Sequence, residues 1–490
     1  MMNYDIHIEN LGAIKEADFI ITPLTVIAGE NGTGKSFVTK FLYSVLSSVN
    51  IDVYSNHTVS TINRLDSTFI QIIKHFKDID SYKEVENELD YLNDFNKTLN
   101  DISKLIVEIE SDYYELGNEL LIDLRESIDL YIDYVYPKLS DFIETIQKKG
   151  IDDVSDKPLN LSLKFLRGFR APEAMLNRAN SLVHELSNLL VKPQESYLRV
   201  LSDYITNELK ENFQISEVQH LINYGESESV FIINEVIEIY ISKDKGLKIQ
   251  FQSEYLSGFE KINHIIFFES PVYWRLLPIV DELDKISGRG LSFNNRYEVL
   301  TGIPKYFYDL KKLLFTNFKE GERPEFVIES ANRLQSYLKG YFKPSDNDLI
   351  FENSEGHSIP KNLVSFGMTN IGIIQAVLSK NIINSGSFIF IDEPESNLHP
   401  EWQNILAHTL TKLAENGVYI IVTSHSTEML KALDINSKEL KIKDKVSTYY
   451  LEPNGKLLDM DNKNLSQIEQ ARQKLLEPYE NLILRGYIVD

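Results

Sequence analysis

The sequence contains no cysteine. That excludes disulfides, thiolate metal sites and a thiol nucleophile, and it fits a reducing compartment. No run of 18 or more apolar residues occurs, so no membrane-spanning helix is read. The opening residues, Met1-Met2-Asn3-Tyr4-Asp5, lack the basic and apolar regions of a secretory signal, and a cytoplasmic protein is expected. Basic residues are few beside acidic ones: 50 Lys and Arg against 73 Asp and Glu leave a net charge of −23. This disfavours a general nucleic-acid coat, whose phosphate contacts need clustered cations. A local basic track stays open. Lys164, Arg167, Arg170 and Arg178 form the best cluster, and a solvated helix face is the favoured reading of it.

At 490 residues the chain is too long for one compact core, so two or three domains are expected. The most informative stretch is Gly29-Glu30-Asn31-Gly32-Thr33-Gly34-Lys35-Ser36. It follows an apolar run, Leu24 to Ala28, that reads as a buried strand, and precedes Phe37 to Val45, which reads as a helix opening. This is G-x-x-x-x-G-K-[ST] in its strand–loop–helix setting. Glycines let several backbone N–H groups converge on one phosphate cluster, and the helix N-terminus adds positive potential. Lys35 would reach the β- and γ-phosphates, and the Ser36 hydroxyl would ligate Mg²⁺.

Upstream, Tyr4 to Ile8 and Ala13 to Ile21 read as strands around a turn at Asn10-Leu11-Gly12. From about Leu46 to Gln219 the pattern turns helical. Ile102, Leu105, Ile106, Ile109, Tyr113, Leu116 and Leu120 recur at three- and four-residue steps. Pro137 is expected to end or kink that run. Further helices are read over 158–190 and 194–212, either as a short antiparallel coiled coil or as a plain bundle. Strand character returns over 229–268, with Ile237, Ile239 and Ile241 on one side and a hairpin turn at Lys243-Asp244-Lys245-Gly246.

A second set of motifs lies near the C-terminal end. Ser387 to Ile391 is an apolar strand ending in Asp392-Glu393. Asp392 can hold Mg²⁺, and Glu393 can orient or deprotonate an attacking water. Asn397-Leu398-His399-Pro400 precedes a helix. Val418 to Val422 reads as another parallel strand, ending in Thr423-Ser424-His425-Ser426. A histidine just past a strand end, at the ligand edge of an open α/β sheet, can hydrogen-bond a γ-phosphate.

Taken together, Gly29–Ser36, Ile391-Asp392-Glu393-Pro394-Glu395, Asn397-Leu398-His399-Pro400 and Ser424-His425-Ser426 resemble an ABC-type ATPase. The likeness is to the soluble SMC/Rad50-like branch, and within it to the OLD-type AAA ATPases of bacterial anti-phage systems. It implies an α/β P-loop head with an inserted helical or coiled-coil domain. The division expected is 1–45 for the first half of the head, 46–220 for the insertion, 221–344 for strands and helices completing the head or an accessory lobe, and 345–490 for the second half. The resemblance implies a signature loop, placed at Val364-Ser365-Phe366-Gly367-Met368. It implies ATP and Mg²⁺ as ligands, with Gly29, Glu30, Asn31, Gly32, Thr33, Gly34, Lys35, Ser36, Ser365, Gly367 and Asn397 at the nucleotide. Ser36 and Asp392 fall to the metal, and Glu393, Lys35 and His425 to catalysis. The family's Q-loop glutamine finds no counterpart, Gln71 being a poor match.

About forty residues follow Leu451, too few for the Toprim domain of OLD nucleases. The nearest companions are therefore stand-alone defence ATPases, similar to the Septu (PtuA-like) and PARIS (AriA-like) subunits. The expected reading is a homodimer or higher homo-oligomer closed by an ATP sandwich, controlling a separately encoded nuclease or Toprim effector. Three rivals stand beside it: an SMC/Rad50-like ATPase that grips DNA, the motor subunit of a membrane transporter, and a nuclease.

Overall fold

The computed structural model describes residues 3–50, 53–77, 82–108, 118–154, 159–191, 193–251, 262–269, 272–277, 279–280, 302–316, 323–345 and 348–489. The chain divides into two compact units. One is built on Met1–Ile51, Ser202–Gly290 and Arg296–Asp490, the other on Asp52–Leu201.

The first unit opens with a hairpin, β1 (Tyr4–Leu11) and β2 (Ile14–Ile21), then β3 (Leu24–Gly29). Alternation of buried Tyr4, Ile6 and Ile8 with more exposed neighbours gives β1 one dry face. Gly12 supplies the positive φ of the two-residue turn, and a Cβ there would lie 2.8 Å from the Phe37 ring. β4 (Glu228–Ile233), β5 (Ile237–Ser242) and β6 (Gly246–Phe251) add to this hairpin as an antiparallel sheet in the order β2-β1-β4-β5-β6. The predicted turn before Gly246 is present, with Gly246 at φ +70°.

β3 behaves differently, because all six of its residues are buried. Such a strand needs cover on both faces and belongs in the interior of a parallel sheet. Its neighbours come from the far end of the sequence. β7 (Ile265–Phe268), β11 (Phe388–Asp392), β12 (Tyr419–Ser424) and β13 (Val446–Leu451) complete an all-parallel sheet ordered β13-β3-β12-β11-β7. Between β7 and β11 in the chain, β8 (Gly340–Ser345), β9 (Asp348–Asn353) and β10 (Ser358–Pro360) form a small antiparallel sheet. In the parallel sheet the register pairs Ile27 with Thr423, Asp392 with Thr423, and Ile391 with Phe268. All five strands run one way, so their carboxyl ends gather on one edge, where ligands bind in open α/β sheets.

The helix after β3, α1 (Lys35–Val49), begins at Lys35, two residues earlier than the apolar pattern suggested. It lies between the two five-stranded sheets. Phe41 meets Phe231 of β4 at 4.6 Å, and Tyr43 meets Phe267 of β7 and Phe390 of β11 at 5.5 and 6.0 Å. Phe41 is fully buried, and burial of such a ring contributes roughly 1.5–3 kcal/mol.

The second unit is helical: α2 (Val53–Lys77), α3 (Glu86–Glu108), α4 (Asn118–Leu130), α5 (Tyr136–Val154) and α6 (Leu159–Val191), with α7 (Pro193–Phe213) following. Ile62, Leu65, Phe69, Ile72 and Phe76 recur at three- and four-residue steps and share one core with Leu92, Phe95, Leu99, Tyr131, Leu182 and Leu186. α2 packs against both α3 and α6, so the described part is a bundle around that core. α3 ends at Glu108, and Ile109, Tyr113 and Leu116 lie outside the described residues. Pro137 does not end its helix. A π-helical turn at Tyr131–Val135 precedes it and absorbs the missing N–H, and α5 then continues to Val154.

Candidate functional site

The loop after β3 is shaped by its glycines. Gly32 and Gly34 sit at φ +82° and +102°. A Cβ on Gly29 would lie 2.6 Å from the Leu451 carbonyl oxygen at the end of β13. Thr33 is buried and donates to the Glu30 carbonyl at 2.9 Å, which stiffens the turn, while Glu30, Asn31 and Gly32 are exposed. Gly34 is the N-cap of α1 and offers no side-chain acceptor to the first N–H groups. That leaves a helix start open to an anion.

Lys35 is only 4% exposed and donates to the carbonyls of Gly29 (2.9 Å) and Glu30 (2.8 Å). Burial pulls its ammonium below the ordinary lysine value, against the attraction of Glu393 and Asp392. Among the described residues it has no ion-pair partner. A buried ammonium held only by carbonyls has a strong demand for an anionic ligand.

Asp392 at the end of β11 accepts from Ser36 Oγ at 2.9 Å and from Thr423 Oγ1. Burial pushes its carboxyl up, and those two hydrogen bonds oppose the shift. The Thr423 hydroxyl also accepts from the Glu393 N–H at 3.1 Å. Glu393 has φ +47°, a backbone conformation rare for a non-glycine residue and frequent at functional turns. Its carboxylate Oε1 lies 3.2 Å from His425 Nδ1. Among the described residues no group of three His, Asp or Glu could hold a metal alone. Ser36 and Asp392 supply a hydroxyl and a carboxylate oxygen side by side, a hard-oxygen pair suited to Mg²⁺ that takes its remaining ligands from phosphates and water. Bound there, the ion would neutralise phosphate charge.

Ser365 caps the helix Phe366–Leu378, its Oγ accepting from the Met368 N–H at 3.3 Å. Gly367 faces the turn holding Asn397, itself exposed at φ +63°, and a Cβ on Gly367 would lie 2.5 Å from the Asn397 carbonyl oxygen. Ser365, Gly367 and Asn397 thus come together. Among the described residues neither Ser365 nor Gly367 hydrogen-bonds the Gly29–Ser36 loop. Arg275 steadies this turn, donating to the Val364 carbonyl at 3.2 Å and stacking on the Phe366 ring at 3.8 Å.

Several contributors escaped the sequence reading. Thr423 bridges Asp392 and Glu393. The strand next to β11 ends in Glu269, which pairs with Lys40 of α1 at 2.8 Å and accepts from the Tyr306 hydroxyl. Glu269 therefore stands where β7 reaches the ligand edge, and Gln71 lies on α2 of the other unit. Glu395 bonds the 424–426 turn. A residue directly after an apolar strand was the available signal for Glu269, but strand order was needed to use it. Of the basic cluster, Arg178 is exposed on α6, and the side chains of Lys164, Arg167 and Arg170 lie outside the described residues. No described helix is long and apolar enough to cross a membrane.

A family model for the AAA ATPase domain matches residues 2–430. The chain belongs to that family. It is a member of the AAA ATPase family with an α/β P-loop fold. This AAA ATPase is 32% identical over 93 residues to the Old nuclease of Escherichia phage P2, a match covering 17% of this chain and 16% of that protein. The chain thus spans about a sixth of the length of the curated relative it matches. Among solved structures it is similar to an SMC head with an extended coiled coil derived from Pyrococcus furiosus, bound to the C-terminal domain of ScpA. Identity there is 11%, coverage 98% of this chain and 100% of that one, and the TM-score 0.36. An SMC head bound to the C-winged helix domain of ScpA gives 10% identity, 95% and 99% coverage, and a TM-score of 0.38.

Proposed function

We propose that this ATPase is the nucleotide-operated sensor or scaffold subunit of a bacterial anti-phage complex, working in the cytoplasm and controlling a separately encoded nuclease or Toprim effector. Two copies close on two ATP–Mg²⁺, each offering the Ser365–Gly367 turn to the nucleotide held by the other. Lys35 and the Gly29–Ser36 loop bind the phosphates, Ser36 and Asp392 hold the ion, Glu393 activates water and His425 meets the γ-phosphate. The carrying observation is the pairing of Ser36 with Asp392 beside Glu393 and His425, while the Ser365–Gly367 turn packs on Asn397 and, among the described residues, makes no hydrogen bond to its own P-loop. A γ-phosphate then supplies contacts only the closed state makes, and its loss on hydrolysis releases them. The helical unit between the two halves of the head is suited to carry that change to an effector.

The test is mass measurement by light scattering of the Glu393→Gln chain with and without ATP–Mg²⁺, followed by affinity capture of effectors from the native host. ATP-dependent doubling of mass supports the sandwich, and an unchanged mass overturns it. Capture of a nuclease or Toprim protein supports the scaffold role. The alternative, an SMC/Rad50-like ATPase of DNA repair or recombination, draws on the exposed Arg178 of the basic cluster on α6. ATP-dependent retention on duplex DNA at physiological salt, with no effector captured, would replace the first reading with that one.

A further inference from the structure

Glu395 is 7% exposed, and one of its oxygens gathers three donors from three consecutive residues. Oε1 accepts from Ser424 Oγ (2.8 Å), from the His425 N–H (3.0 Å) and from the Ser426 N–H (3.2 Å). The same oxygen lies 3.6 Å from His425 Nδ1, next to the 3.2 Å approach of Glu393. The turn carrying His425 is thereby wrapped around a carboxylate, in the way successive backbone N–H groups form a nest around an anion. Gln403 fastens the far side. Its Oε1 accepts from Ser426 Oγ at 2.9 Å, and its Nε2 donates to the Leu398 carbonyl at 3.1 Å. Ser426 in turn caps the helix Thr427–Glu439 through the Met429 N–H at 3.1 Å. Neither the backbone nor the neighbouring helix fixes the imidazole alone, because its side chain is 41% exposed.

The second oxygen of Glu395, Oε2, is buried and, among the described residues, has no hydrogen-bond partner. The carboxylate has a second consequence. The turn it holds brings His425 Nδ1 to within 3.2 Å of Glu393 Oε1, the acceptor for that nitrogen, while Glu395 Oε1 stands 3.6 Å away on the same side and Nε2 faces the other side of the ring. We infer that Glu395 is a positioning residue for hydrolysis, acting through His425 by holding the turn that orients the ring. This rests on the proposed role of His425 at the γ-phosphate.

The test is a double-mutant cycle on the full chain, with steady-state ATP hydrolysis, affinity for a non-hydrolysable ATP analogue and melting temperature read for each variant. Glu395→Ala should lower kcat on the order of tenfold to a hundredfold, the size of effect a displaced catalytic group produces. Affinity for the analogue should stay within about threefold, because the P-loop is untouched. In a His425→Ala background the same change should lower kcat by no more than about twofold, the limit for two residues acting as one unit. Glu395→Gln, which keeps an acceptor for the three donors, should recover most of the rate. If Glu395→Ala does not fold, Glu395→Asp takes its place in the cycle, since its shorter side chain withdraws the acceptor. Equal loss in both backgrounds, or no loss in the first, overturns the inference. A His425→Ala chain hydrolysing at the wild-type rate overturns the reading of His425 itself, and the two failures are thereby told apart.

Discussion

Ser36 at the start of α1 and Asp392 at the end of β11 share a hydrogen bond of 2.9 Å across 356 residues of chain. The chain between them includes the whole helical unit, yet the two residues meet in one pocket. The parallel sheet makes this closure, because β3 and β11 both border β12 and end on the same edge.

Lys35 is buried and, among the described residues, forms no ion pair, so its charge is available to a nucleotide. Lys35→Ala should weaken ATP binding by about 2–5 kcal/mol, roughly thirtyfold or more, as expected when one member of a buried charge pair is removed. Titration with a fluorescent nucleotide measures it. Unchanged affinity would remove Lys35 from the site.

Glu393 reaches the site on a backbone with φ +47°, held by Thr423. Glu393→Gln should retain nucleotide and lower kcat by about 10²–10⁴, the range for loss of a general base. Phosphate release under saturating ATP is the readout. Hydrolysis at the wild-type rate would show the assignment to be wrong.

Gly367→Ala places a methyl 2.5 Å from the Asn397 carbonyl oxygen and 3.1 Å from Leu398 Cδ2. The backbone of one turn must move, at about 1–3 kcal/mol for overpacking. A lowered melting temperature together with reduced hydrolysis is expected. If the turn serves a second copy, nucleotide binding by the isolated chain stays intact, which equilibrium dialysis would check.

Glu208 of α7 is 1% exposed, lies 3.2 Å from the Lys305 ammonium, and has its carboxyl pushed up to about 7, mainly by burial. The folded chain therefore holds a proton at this carboxyl that the unfolded chain, near 4.5, has released. The contribution to stability falls as pH rises from about 4.5 to 7 and is level outside that window. Glu208→Gln removes this dependence. Urea unfolding midpoints of both chains across that range should converge at the acid end and separate towards neutrality, the variant being more stable there. Parallel curves would contradict it.

What could be read from the sequence was local. The loop from Gly29 to Ser36, the strand before it and the acidic end of β11 each announce themselves within a dozen residues, since strand, glycine turn and helix start are short-range features. The hairpin at Gly246 was legible for the same reason. Strand order was not, and it decides which side chains meet. Thr423 matters only because β12 borders β11, and Glu269 only because β7 does. Lys40, one turn into α1, finds Glu269 by packing that no periodicity encodes. At Pro137 a local rule predicted an end or a kink, and the structure has a π-helical turn directly before it and a helix that continues beyond.

The order β13-β3-β12-β11-β7 also has a consequence for synthesis on the ribosome. β3 is among the first segments made, yet both of its sheet neighbours lie beyond residue 418. Until they emerge, six residues destined for the interior have both hydrogen-bonding edges bare, the kind of segment that recruits other chains. The bundle of residues 52–201, with a core of its own, is complete long before that moment and can form while β3 waits.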